Sequence, residues 1–392
     1  MDSTSTKQRE VDRPQPISRL VAILVPPFFG AVLAFLGVLV LQGPLRSLAA
    51  WDFSLYYTAG ILEEKELYNK DAQIRVQRVV WEQNIRDKRM FVYSIYLKPA
   101  AYKLFLNPLS RFPFWTAYVL WATLQVAALA IGLWLIGRRL GFPPSLWILL
   151  PLSPFVTATV AWGQDAGIVF LTLALSWELG ERNRWFAAGC ALALALVKWN
   201  LFLLMAPVLA VQRKWRMLAG FLLIAVIGAA LSIYVAGWTG TQENLRLLHD
   251  READFLAPEM ASMRGILLWL GLPGPVTNGL VVAALASTWI LLHDAGWRTG
   301  FALGITSCVV LSYHTMLYDL LFLLIPMLLL QGKTGFQNLY LLAPLVAWTA
   351  PLRLGAPVYP IVTLCIAAES YLVAFRDRRE MAGTDKNLER KT

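Results

Sequence analysis

The sequence predicts an all-α, polytopic membrane protein of about 12 transmembrane helices, and three observations carry that reading. Of its 392 residues 57% are hydrophobic and 15% charged, outside the range of a water-soluble globular chain. Apolar runs of about 20 residues, the length needed to span a bilayer as helix, recur along nearly the whole chain. Alternating apolar and polar segments of the kind that build a membrane barrel are absent, so helices must satisfy the backbone internally.

Residues 1–18, MDSTSTKQREVDRPQPIS, are polar and read as a cytoplasmic tail. The following apolar run from Leu20 to Leu41 exceeds the roughly 7–15 residues of a cleaved signal core, so it reads as an uncleaved first helix. Cys190, Cys308 and Cys365 each sit in apolar sequence without metal-type spacing and read as small core residues. A net charge of +10 in such a chain points to cytoplasmic loops and anionic lipid rather than nucleic acid.

Basic clusters set the sidedness, because Lys and Arg in short loops stay cytoplasmic. They fall at Lys7/Arg9/Arg13/Arg19, Arg138/Arg139, Arg182/Arg184, Arg213/Lys214/Arg216, Arg298, Lys333 and the tail from Arg376 to Lys391. With all of these inside, every interval must hold an even number of crossings. The expected spans are 20–41 with 115–137, 145–162 with 166–180, 185–197 with 199–211, 217–237 with 276–292, 300–312 with 317–330, and 337–351 with 358–375. The domain then runs over 19–375, with both termini, 1–18 and 376–392, cytoplasmic in a cell membrane. The pair around Lys198 is expected as two short helices meeting at a re-entrant tip, which is tolerated only where protein or a cavity surrounds it.

Two outer segments are longer than turns. Residues 42–114 are expected to carry an amphipathic helix over Asp71 to Asp87, with Ile74, Arg78, Trp81 and Ile85 recurring every three to four residues. Residues 238–274 read as a surface helix before a Pro-Gly-Pro turn.

The ionisable residues at the outer helix ends share one leaflet: Asp52, Asp165 in WGQD, Lys198 in VKWN, Arg264 in SMRG, and His314 with Asp319 in SYHTMLYD. Each has a plain structural reading. Asp52 can cap a helix, Lys198 can snorkel, Arg264 can anchor a lipid headgroup, and His314 with Asp319 can be a satisfied pair. Tyr56, Tyr57, Trp162 and Trp199 fit an aromatic belt as well as a sugar platform. Their co-location favours a function, since membrane-edge charges are costly and mark pathways or reactions. Transfer of a sugar from a lipid phosphate needs a base for the acceptor proton and cations for the departing phosphate, and a membrane-embedded mouth limits competition from water.

Asp52 to Ala59 in WDFSLYYTAG, YSIYLKPAAYKLFLNP from Tyr93 followed by LSRFPFWTAYVLW, WGQD, GCALALALVKWNLFLLMAP, the RKWR after it, and SYHTMLYDLLFLLIP follow one another as in glycosyltransferase family 87. The chain resembles these GT-C-type membrane enzymes over roughly 20–375. It is similar to the polyprenyl-phosphate-mannose-dependent alpha-mannosyltransferases of actinobacterial lipoglycan synthesis. The resemblance implies an inverting transfer from a polyprenyl monophosphate sugar on the outer, periplasmic face. The sugar is expected to be a hexose, mannose foremost, and the acceptor, which the resemblance itself does not specify, a glycolipid or polysaccharide. The resemblance makes Asp52 the general base, gives Lys198 to the donor phosphate and His314 to the donor phosphate or the acceptor, and aligns Gln164, Asp165 and Asp319 with the family's cavity residues. In the combined reading Lys198 and Arg264 clamp the phosphate, and Tyr56, Tyr57 and His314 line the sugar site. No cofactor and no metal are expected, and the partners are the donor, the acceptor and membrane lipid. The chain departs from the family pattern at Tyr93-Ser94-Ile95-Tyr96, where Tyr-Pro-Pro is common, and at Asp165, where asparagine or a small polar residue is frequent. The rival readings are a carrier or flippase for a lipid-linked sugar, an arabinosyl rather than mannosyl transferase, and an inactive scaffold.

Overall fold

The structure, a computed structural model, describes residues 51–84, 94–140, 154–249, 260–330, 367–368 and 370–376. Among these the regular structure is helical. The chain runs through α1 (Trp51–Ile61), α2 (Lys70–Asn84), α3 (Lys103–Ser110), α4 (Phe114–Leu140), α5 (Pro154–Trp162), α6 (Ala166–Glu181) and α7 (Trp185–Ala193). It continues through α8 (Trp199–Phe202), α9 (Met205–Val211), α10 (Trp215–His249), α11 (Met263–Trp269), α12 (Gly274–Leu292), α13 (Trp297–Val310) and α14 (Leu324–Leu329). Short 3-10 turns at Ala100–Tyr102, Leu194–Lys198 and Leu317–Leu323 lead into α3, α8 and α14.

Four described helical stretches are long and apolar enough to cross a membrane: Phe114–Leu140, Trp185–Phe202, Trp215–Leu247 and Gly274–Leu292. The expected 20–41 and 337–351 spans, and most of 358–375, lie outside the described residues, as does 145–153 at the start of another. The long helix α10 is broken where a span was expected to end. Gly237 sits at φ 69°, ψ 171°, so the helix changes direction there. Before that break Leu222, Leu223, Val226, Ile227, Leu231 and Ile233 are exposed, a surface suited to acyl chains. The expected surface helix of 238–274 is present over 238–249, and the continuation to residue 259 lies outside the described residues.

Helix ends follow from the sequence. Pro113 precedes α4 and its carbonyl accepts from Ala117 N, while Arg138 and Arg139 occupy the last turn of α4, where cations favour the helix dipole. Helices α5, α6, α9 and α11 each stop at a left-handed residue: Gly163, Asn183, Arg213 and Gly271. In each case the two reverse hydrogen bonds of a Schellman cap follow, as in Gln164 N to Thr159 O and Gly163 N to Val160 O.

Two packed regions meet. The larger joins α6, α7, α8, α9, α13 and the Leu317–Leu323 turn through Phe170, Leu173, Leu192, Phe202, Met205, Phe301 and Phe322. The second is aromatic and binds α1 and the 96–102 segment to α4, with Phe53, Tyr56, Tyr96, Tyr102, Phe114, Tyr118 and Trp121 clustered together.

Helix α2 corrects the expected amphipathic pattern. Its buried residues are Ala72, Gln73, Gln77, Val80 and Trp81, whereas Arg78 is exposed and Ile74 only half-buried. The reason is polar: Gln73 and Gln77 face inward to hydrogen-bond the 94–96 backbone. Gln73 Oε1 accepts from Tyr96 N at 2.7 Å and Gln77 Oε1 from Ser94 N at 3.1 Å. A hydropathy pattern cannot find a face defined by buried amides.

Candidate active site

Asp52 lies in the first turn of α1. Against burial, which raises the Asp52 carboxyl, Gln164 is the polar side chain that acts most strongly, pulling it downward. One turn later Tyr56 donates its hydroxyl to Gln164 Oε1 at 3.0 Å. With that oxygen occupied, the amide nitrogen of Gln164 is the group that faces Asp52.

The WGQD turn makes this possible. Gly163 is left-handed at φ 70°, and a Cβ there would fall 2.5 Å from the Cβ of Phe53. Its carbonyl accepts from Trp121 Nε1 at 2.7 Å. The reversal delivers Gln164 to α1 and sets Asp165 at the start of α6. An acid at that position ordinarily caps the helix, but the Asp165 side chain makes no cap hydrogen bond. It accepts from Lys98 Nζ at 2.5 Å instead, with Lys198 Nζ 3.3 Å away.

Lys98 stands on an extended segment pinned from several sides. Tyr68 donates to its carbonyl at 2.6 Å, Trp199 Nε1 to the carbonyl of Leu97 at 3.2 Å, and Gln73 holds Tyr96. Its ammonium lies 5.4 Å from the centre of the Tyr56 ring. Lys198 sits at the break between the Leu194–Lys198 turn and α8, with φ −106° and ψ 60°. The expected interruption therefore falls on this lysine. Its ammonium is 2.8 Å from Asp319 and 3.3 Å from Asp165, and 4.7 Å from the Tyr318 ring centre. Asp319 also accepts from Met316 N at 2.9 Å, closing the turn that follows His314.

The result is a buried chain of charges, Lys98 to Asp165 to Lys198 to Asp319, with Asp52 in the field of both lysines. Burial pushes Asp52 up to about 6 against the opposing pull of Gln164, Lys198 and Lys98. Burial likewise depresses Lys98 to about 8, partly offset by Asp165. For Asp165 burial acts upward, yet the two lysines prevail and hold it at about 2. Asp52 and Asp165 thus divide, with Asp52 poised near neutrality, which suits a general base.

The remaining expected residues fall elsewhere. Tyr57 donates to the carbonyl of Phe112 at 2.8 Å and packs on Phe53 and Phe114. The Arg264 guanidinium stacks 3.9 Å from the Tyr313 ring centre and donates to its hydroxyl at 3.2 Å. The His314 carbonyl accepts from Asn200 Nδ2 at 2.9 Å, and Ala261 N donates to Thr315 O. Arg264 and His314 therefore belong to a neighbouring group tied to the Lys198 break through Asn200. Lys98 was not singled out by the sequence reading. Its signal was a lysine set between apolar residues and a proline in YLKPAA, a setting in which a merely solvated lysine is out of place.

Comparison with known proteins now bears on these residues. The profile of glycosyltransferase family 87 matches residues 96–318, more than half of the chain. The chain belongs to glycosyltransferase family 87. The family 87 match takes in Lys98, Gln164, Asp165, Lys198, Arg264 and His314, and Asp52 and Asp319 lie outside it. This family 87 chain is 29% identical over 148 residues to the alpha-(1->3)-arabinofuranosyltransferases of Mycobacterium tuberculosis strains CDC 1551 / Oshkosh and ATCC 25618 / H37Rv. That match covers 35% of this chain and 34% of each relative, so about a third of the curated relatives' length is matched. No solved structure matches.

Proposed function

We propose that the chain transfers a sugar, with inversion, from a polyprenyl monophosphate to an acceptor hydroxyl at the outer membrane face, and that Asp52 is the general base. The observation that carries this is the setting of Asp52: in the first turn of α1, one turn before the Tyr56 that holds Gln164, raised to about 6 by burial, and within the field of the two paired lysine ammonium groups. In the reaction the acceptor oxygen forms a bond to the anomeric carbon as the bond from that carbon to the phosphate oxygen breaks. The bonding pair leaves with the phosphate, and the acceptor proton passes to Asp52. Inversion requires base and phosphate on opposite faces of the sugar. Tyr56 and Gln164 orient the base, and the lysines neutralise the charge that grows on the phosphate.

The alpha-mannosyl donor follows from the family resemblance, whereas the relatives named above favour arabinofuranose. Both sugars suit one base and one phosphate site. The deciding assay uses purified protein in nanodiscs with synthetic polyprenyl-phosphate-mannose and polyprenyl-phosphate-arabinofuranose and a hydroxyl acceptor. Release of polyprenyl phosphate coupled to glycoside formation with either donor supports the reading. Asp52→Asn is expected to stop turnover while donor still binds. Movement of intact donor across the bilayer without glycoside formation would establish a carrier instead.

A further inference from the structure

We infer that Lys98 is the cation that receives the donor phosphate, that Asp165 is its positioning residue, and that Lys198 serves chiefly to hold the site together. This assignment rests on the proposed donor class. It comes from comparing what each ammonium already touches.

An ammonium has three N–H donors. Lys198 faces Asp319 at 2.8 Å and Asp165 at 3.3 Å, with the Tyr318 ring on another side, and its side chain is 6% exposed. A phosphate there would compete with two carboxylates for one buried ammonium, and loss of a partner from such an ion pair is strongly destabilising. Among the described residues Lys98 is ion-paired to a single carboxylate, Asp165, at 2.5 Å, and its side chain is 15% exposed, so N–H donors remain for phosphate oxygens. Its backbone is fixed by Tyr68, by Trp199 through Leu97, and by Gln73 through Tyr96. The ammonium therefore arrives pre-placed, and little ordering is needed on binding. It stands 5.4 Å from the ring of Tyr56, whose hydroxyl holds the Gln164 that acts on Asp52. A phosphate on Lys98 would thus lie within one sugar's reach of the base.

The test is binding, not turnover. A short-chain polyprenyl monophosphate without sugar, and the matching neutral polyprenol, are titrated into nanodisc-embedded protein and followed by intrinsic fluorescence. Wild type is expected to prefer the monophosphate, and Lys98→Gln to lose at least tenfold in monophosphate affinity with polyprenol binding little changed. The groups facing Lys98 are Asp165, Asp319, Lys198, Asp52 and Tyr56. As Lys98 deprotonates above about pH 8, wild-type affinity is expected to weaken, and Lys98→Arg, which keeps its charge, is expected to flatten that limb. Where Lys98→Gln yields no folded protein, the Lys98→Arg profile decides. Unchanged affinity in Lys98→Gln, or an alkaline limb surviving in Lys98→Arg, overturns the assignment. A wild-type protein that does not distinguish monophosphate from polyprenol overturns the donor reading beneath it, a result visible before any variant is made.

Discussion

Replacing Asp52 by asparagine is expected to raise stability at neutral pH while abolishing transfer. Burial drives the Asp52 carboxyl from 3.8 to about 6, with Gln164, Lys198 and Lys98 opposing and Asp165 adding to the rise. At about 1.4 kcal/mol per unit, this corresponds to about 3 kcal/mol favouring the protonated form in the folded protein. Because the folded value lies above the unfolded one, the stability tied to this proton is fully present below about pH 4. It is lost as pH rises through about 6. Asparagine keeps the size of the side chain and an acceptor oxygen and cannot ionise, so it escapes that loss. Linkage puts the gap between the two proteins at about 1 kcal/mol at pH 4.5 and about 3 kcal/mol at pH 7.5. With about 2 °C per kcal/mol for a chain of this size, the variant should melt several degrees higher at pH 7.5.

The assay is differential scanning fluorimetry of both proteins in nanodiscs at the two pH values, alongside the transfer assay, where a loss of about 100-fold or more is expected for a missing base. An Asp52→Asn protein that melts at or below wild type at pH 7.5, or a gap that narrows as pH rises, would refute the reasoning. It would mean that the lysines hold Asp52 as a stable anion unsuited to taking a proton.

Gly163→Ala is expected to destabilise by about 2 kcal/mol or more, because a side chain at φ 70° is strained and its Cβ meets Phe53. Transfer should fall with it, as the turn places both Gln164 and Asp165; a melting curve matching wild type counts against this. Asp165→Asn removes the carboxylate shared by Lys98 and Lys198 and is expected to cost about 3–5 kcal/mol in thermal stability. Since Asp165 raises the value of Lys98, the alkaline limb of monophosphate binding should move to lower pH, and an unmoved limb would separate the two residues. Added chelator is expected to leave transfer within about twofold, because ammonium groups supply the positive charge at the phosphate. Activity lost on chelation and restored by a divalent ion would transfer that role to the metal.

Much of the helical frame was legible from hydropathy and charge. The expected ends at 137, 180 and 237 fall close to Leu140, Glu181 and the Gly237 break, since basic loops, helix-ending caps and apolar length act locally. The break at Lys198 was legible for a related reason: flanks positive on both sides are hard to reconcile with one crossing. The face of α2 was not, because Gln73 and Gln77 are buried for their hydrogen bonds. Asp52, Asp165, Lys198, Arg264, His314 and Asp319 were expected together from their places at helix ends, but the partners of each were not legible. Asp165 reads as a helix cap from its neighbours in sequence, and only the approach of Lys98, 67 residues away, turns its carboxylate elsewhere. Long-range ion pairs leave no periodic trace. Lys98 was missed on that account, although its apolar setting marked it.

The pairing of both lysines with acids has a consequence for the proposed chemistry. With Lys98 and Lys198 opposed by Asp165 and Asp319, the network is close to neutral before donor arrives, and Asp52 carries the one further charge. During transfer a proton neutralises Asp52 while the phosphate gains a negative charge, so the total charge of the pocket does not change. What changes is its location, from the side of Gln164 toward the ammonium groups. A fixed neutral network senses that displacement without reorganising, and favours the transition state over the ground state. Two unpaired ammonium groups would also attract phosphate, but they would grip the departing polyprenyl phosphate most strongly after the reaction and slow its release. Replacing Asp319 by asparagine would therefore be expected to tighten polyprenyl phosphate binding while lowering turnover. That combination separates a charge-balancing role from a purely structural one, for which binding and turnover would fall together.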